Sequence, residues 1–108
     1  MRSGLVAPLR PWAEQLVAIA QRAFGGRAVV TSTRRSVAKQ AQLYRLWKTG
    51  RSQYPAAAPG TSKHERGLAF DVGGLSSAEL YSLGQLWESW GGRWGGRFSS
   101  PDPIHFEA

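Results

Sequence analysis

Residues 62–71 read Ser62-Lys63-His64-Glu65-Arg66-Gly67-Leu68-Ala69-Phe70-Asp71, a polar, histidine-bearing segment that gives way at Gly67 to an apolar run. Leu68 to Val72 predict a short strand that stops at Gly73-Gly74. Gly67 frees the chain to turn between loop and strand. Ser76 then stands three residues before Glu79, the spacing of a capping box. Leu80, Leu83, Trp87 and Trp90 share one face of the helix this box starts, which runs to about Trp90 before Gly91-Gly92.

Upstream of the histidine, residues 50–63 are rich in Pro, Ala, Gly and Ser, the composition of a surface loop beside a site or of a lid. A helix is expected from Val37 to Lys48, capped by Ser36, with Ala41, Tyr44 and Trp47 inward. Arg27 to Ser32 (RAVVTS) reads as a strand. Residues 9–24 read as a first helix, with Pro11 in its first turn and Trp12, Leu16, Ile19 and Ala23 on one face. Downstream, RWGGRF predicts a tight turn or hairpin between Trp94 and Phe98, followed by a last strand from Ile104 to Glu107. The pattern is α+β: one small domain over residues 1–108, a short antiparallel or mixed sheet with about three helices packed around it.

At 108 residues, 42% hydrophobic and 19% charged, the chain is globular and can bury a core, with little to spare. Five Trp are many for this length, so some are expected in the core and others can line a cleft. The formal charge of +7 favours anionic partners: nucleic acid, anionic lipid or an anionic wall polymer. Charge alone does not choose among them, and no nucleic-acid-binding motif accompanies it. No apolar run is long enough to span a membrane. The opening MRSGLVAPLRPWAEQL carries one early Arg and no continuous apolar stretch, so no signal peptide is expected and synthesis in the cytoplasm is.

The chain has no cysteine, so any zinc must be held by His and carboxylate. Both histidines, His64 and His105, fall in two short segments that also hold Asp71 and Asp102. A carboxylate inside the apolar strand LAFDV is costly unless it is paired or bound to metal. Two imidazoles and one carboxylate supply three ligands and leave a fourth position for water, the pattern of a catalytic zinc site. Asp102, three residues before His105, is left over as a proton acceptor. Zinc brings the pKa of a bound water toward about 7, within reach of such a base. Arg34 and Arg35 follow the strand RAVVTS, and either guanidinium can grip a substrate oxygen or steady an oxyanion. The chemistry that these residues suggest is metal-assisted hydrolysis.

Three separated segments then resemble one family. Ser62, His64, Gly67, Ala69 and Asp71 match its first motif, and Asp102, His105, Phe106 and Glu107 its second. Arg35, Ser36, Gln40, Leu43 and Tyr44 match an upstream Arg-Ser-x-x-x-Gln-x-x-Leu-Tyr segment. The family is that of the zinc D-Ala-D-Ala carboxypeptidases and peptidoglycan endopeptidases, and the likeness covers residues 27–107. It implies zinc on His64, Asp71 and His105, Asp102 as catalytic base, and Arg35 as a contact to substrate or transition state, with Ser62 and Gln40 also on the substrate. Asp rather than Glu as base, and the lead-in WGGRWGGRFSSPD, look like the phage endolysin branch that cleaves the L-alanyl-D-glutamate bond of the stem peptide. The expectation is a monomeric peptidase domain over the whole chain without a separate wall-binding domain, acting on the wall after release, with its basic charge supplying wall attraction. A D,D-carboxypeptidase releasing terminal D-Ala, and a non-catalytic metal-stabilised binding module, are the competing readings.

Overall fold

The structure, a computed structural model, describes residues 4–108. Three helices, α1 (Arg10–Ala23), α2 (Val37–Lys48) and α3 (Ser77–Ser89), accompany four strands, β1 (Val29–Ser32), β2 (Ala69–Gly73), β3 (Arg93–Trp94) and β4 (His105–Glu107). The strands form one antiparallel sheet in the order β1-β2-β4-β3, which makes the fold α+β as expected.

Strand alternation divides the sheet into two faces. Phe70 pairs with Phe106, and Phe106 with Trp94, so one face carries a row of aromatics. Val72 joins that row, and all four are buried with Leu16 and Ala20 of α1 and Leu80, Leu83 and Trp87 of α3. On the other face Asp71 stands opposite His105, and Glu107 is flanked by Ala69 and Arg93. The strands that build the core on one side therefore present ionisable groups on the other.

Helix α3 begins with both halves of the capping box between Ser76 and Glu79. Glu79 also pairs with Arg27. In α2, the Ser36 hydroxyl accepts the Lys39 N–H at 3.1 Å. Helix α1 departs from the sequence reading in its buried face. Ala13, Leu16, Val17 and Ala20 are the buried residues, whereas Trp12 is 51% exposed and Ala23 is exposed as well. The small alanines let α1 lie close to the core, and the wide Trp12 ring is turned out against Trp90, 5.8 Å between centroids. Helix α2 also differs, because Ala41, Tyr44 and Trp47 are only half-buried and its fully buried residue is Gln40.

At RWGGRF the expectation of a tight turn or hairpin is met by the turn: Gly95–Arg97 is a 3₁₀ turn between Trp94 and Phe98, while Arg93 and Trp94 pair with β4. A Cβ on Gly95 would meet the Asp102 carbonyl at 2.2 Å, so this turn packs directly under the segment leading into β4.

Candidate metal centre and cleft

Each side chain of the His/Asp cluster is placed by a different local device. Residues Lys63–Arg66 form a 3₁₀ turn capped by Ser62, whose hydroxyl accepts the His64 N–H at 3.1 Å. Gly67 ends that turn with φ 71° and lies against the Gly4 carbonyl, where a Cβ would approach to 2.3 Å. The chain then enters β2 and delivers Asp71, seven residues after His64, beside its cross-strand partner His105.

Three lone-pair atoms converge there. His64 Nε2 lies 3.1 Å from Asp71 Oδ1 and 3.1 Å from His105 Nδ1. His105 Nδ1 lies 3.4 Å from Asp71 Oδ1. Ligands about 2.05 Å from a tetrahedral zinc are separated by about 3.3 Å, so the triangle has the size of one face of a zinc coordination sphere. The far atoms of all three residues are engaged in the way that leaves those lone pairs inward. His64 Nδ1 donates to the Thr33 carbonyl at 2.6 Å, and His105 Nε2 donates to Glu107 Oε1 at 2.7 Å. Asp71 Oδ2 accepts from Arg35 Nη2 at 2.7 Å. The donor set therefore fits zinc in number, type and spacing.

Charge follows the same geometry. Burial alone would raise the Asp71 carboxyl, but hydrogen bonds with His105 and His64 and the charge of Arg35 hold it well below the usual carboxylate range. Burial alone would lower the His105 imidazole, yet its bonds to Asp71 and Glu107 hold it up at about 9 without metal. Asp102 goes the other way. Burial, then the Asp71 charge, push its carboxyl up to about 6. Its carboxylate makes no hydrogen bond among the described residues.

Arg35, not Arg34, faces the cluster. Its guanidinium also donates to Ser32 Oγ at 3.0 Å and to Gln40 Oε1 at 3.1 Å, while its own N–H donates to the His64 carbonyl. Arg34 is exposed, with Nε directed at the Glu65 carbonyl. Gln40 has no exposed surface, and its Nε2 donates to the Ala57 carbonyl at 2.8 Å. The structure thus brings His64, Asp71, His105, Asp102 and Arg35 together, and sets Ser62 and Gln40 behind them as a turn cap and a guanidinium brace.

Sequence reasoning placed Trp47 inward on α2 and Glu107 in the second motif, but gave no task to the Glu107 carboxylate or the Thr33 carbonyl. Glu107 was signalled by its place two residues after His105 in a strand, which puts both on one face. Nothing in the sequence marks the Thr33 carbonyl. Trp47 is a cleft tryptophan of the kind that composition allowed.

A cleft of about 680 Å³ is lined by His64, His105 and Asp102 together with Trp47, Ala57, Arg93 and Arg97. A second hollow of about 290 Å³ reaches Asp71 past Lys39 and Tyr54. The two share Arg35, Pro55, Ala56 and Asp102.

No curated protein matches the chain significantly. Among solved structures, the L,D-carboxypeptidase DacB of Streptococcus pneumoniae shares the fold with TM-score 0.73 and 20% identity, over 98% of this chain and 67% of its own. A mutant vancomycin-resistance D,D-pentapeptidase VanY, crystallised with Zn(II), has TM-score 0.72 and 21% identity over 95% of this chain and 71% of its own. The L-Ala D-Glu endopeptidase ChiX of Serratia marcescens has TM-score 0.60 and 24% identity over 96% and 80%. The sequence profile of the VanY family, D-alanyl-D-alanine carboxypeptidase, matches residues 6–92. With its fold and its His-Asp-His cluster alike pointing there, the chain belongs to the VanY family of peptidoglycan-cleaving metallopeptidases.

Proposed function

We propose that this peptidase is a zinc-dependent endopeptidase that cuts the peptidoglycan stem peptide between L-alanine and D-glutamate, in the manner of a phage endolysin. The observation that carries the choice is that two hollows border the same residues, Arg35, Pro55, Ala56 and Asp102. A carboxypeptidase needs a pocket closed around a terminal carboxylate. A peptide cut internally needs room on each side of the scissile bond, which two hollows bordering Arg35 and Asp102 favour.

His64, Asp71 and His105 would hold the metal. A bound zinc supplies Lewis acidity and a water of lowered pKa. Asp102 accepts the proton of the attacking water and passes it to the leaving amine, a role that suits a carboxyl pushed toward neutrality and free of hydrogen bonds. Arg35 fixes the Asp71 carboxylate and offers its edge to a substrate carbonyl in the cleft. Ser62 and Gln40 position His64 and Arg35 respectively. The formal charge of +7 draws the protein, acting as a monomer, to the anionic wall.

The test is mass spectrometry of fragments released from purified peptidoglycan by the zinc-loaded protein. A new amino terminus on D-glutamate is expected. Release of free D-alanine instead would assign the D,D-carboxypeptidase activity that the family's description names, and intact peptidoglycan would leave a wall-binding role.

A further inference from the structure

One wall of the cleft carries a cationic fork that the reaction above does not use. Alternation in β3 sends Trp94 into the core and leaves Arg93 on the site face, opposite Glu107. Glu107 spends one oxygen on His105 and turns the other, Oε2, to two cations: Arg93 Nη1 at 3.3 Å and Lys63 Nζ at 3.7 Å. Glu107 is buried, whereas the Arg93 side chain is 63% exposed and that of Lys63 33%. Two positive charges thus share one carboxylate, and both cations line the large cleft. The Arg93 guanidinium also lies 5.6 Å from the centre of the Phe98 ring, which limits where its remaining donors point.

We propose that Lys63 and Arg93 form a subsite for a substrate carboxylate close to the scissile bond. The fork has one cation in excess over Glu107 and spare donors facing the cleft, the complement of a carboxylate. It is linked to the cluster through Glu107, which bonds the ligand His105, so it borders the same cleft as the metal site. This inference rests on the stem-peptide reading. For a cut between L-alanine and D-glutamate, the carboxylate concerned is that of D-glutamate not consumed by the peptide chain. The enzyme therefore discriminates between walls in which this group is free and walls in which it is amidated.

Two synthetic stem peptides, identical except for a free carboxylate or a carboxamide at that D-glutamate, test the proposal with zinc-loaded protein. The carboxylate peptide is expected to show a kcat/KM about tenfold higher, carried mainly by KM. In Lys63→Gln/Arg93→Gln that ratio falls toward one. Arg93→Gln alone, which leaves Glu107 its lysine partner, shows an intermediate ratio and guards against damage to the Glu107–His105 contact. A wild-type ratio near one, or an unchanged ratio in the double variant, overturns the subsite while leaving the endopeptidase reading intact. Failure of the wild type to cut either peptide overturns that reading and the subsite with it.

Discussion

Asp71 and Asp102 are two carboxylates beside one cleft, and their surroundings push them in opposite directions. Asp71 is held ionised by His105, His64 and Arg35, whereas Asp102 is raised to about 6 by burial and by Asp71 itself. Such divergence separates a ligand from a base. Asp102→Asn keeps the shape and removes the proton acceptor, so hydrolysis should fall by about 10²–10⁴-fold while zinc content, read by atomic absorption, stays at the wild-type value. Retained activity would remove Asp102 from the mechanism. His105 gives a second prediction. Its metal-free folded pKa of about 9 lies above its ordinary 6.5. The stability this adds is complete below about pH 6.5 and is lost as pH rises through about 9. The groups facing it are the acidic Asp71, Glu107 and Asp102, which raise it, and the His64 imidazole, 3.1 Å away. With chelator present, Tm should therefore drop by several degrees between pH 6.5 and 9. With zinc present the drop should shrink, because the metal takes the deprotonated nitrogen. A metal-free Tm that rises across this window would contradict the assignment.

At the level of elements, α3 is held to the sheet by a close approach. A Cβ on Gly84 would meet the Trp94 ring at 2.1 Å, and that ring is fixed by its Nε1 donating to the Pro103 carbonyl. Gly84→Ala improves helix propensity yet must displace the ring or the helix, so a net loss of about 1–3 kcal/mol is expected in denaturant unfolding. A gain in stability would show that α3 shifts freely. The same element explains what could be read from sequence. The Ser76/Glu79 box, the Ser36 cap and the Gly67 turn are local chemistry, visible in a few residues, and each is present. The His64, Asp71 and His105 cluster was legible because two histidines and a carboxylate in an apolar strand have few other uses. The inward face of α1 was not, because Ala13 and Ala20 are chosen by how closely the helix approaches the core, while the larger Trp12 dominates any periodicity count. At RWGGRF the glycines mark the turn, whereas the packing of the Trp94 ring against Gly84 is tertiary and leaves no local signal. Glu107 and the Thr33 carbonyl meet the histidines only through tertiary structure, which no local pattern records.

Across the whole molecule, the metal centre joins the 3₁₀ turn at His64 to two central strands, so an ion bound there ties together segments distant in the chain. Chelation should lower Tm by about 10 °C, the effect of about 2–3 kcal/mol in a domain this size, and abolish wall lysis; added zinc should restore both. An unchanged Tm would mean that the cluster binds no metal tightly. No helix among the described residues is long and apolar enough to cross a membrane. The pairing of Asp71 with His105 has one more consequence. Residue parity along β2 and β4 decides which side chains see the cleft and which see the core. Deleting a single residue within either strand would swap Phe70 or Phe106 into the ligand row and bury a charge among the aromatics. Length changes in the long connection between those strands leave parity untouched. The connection can therefore change in loop length as long as α3, Trp94 and Asp102 keep their places, whereas a frame slip of one position inside β2 or β4 would cost the protein its core and its chemistry at once.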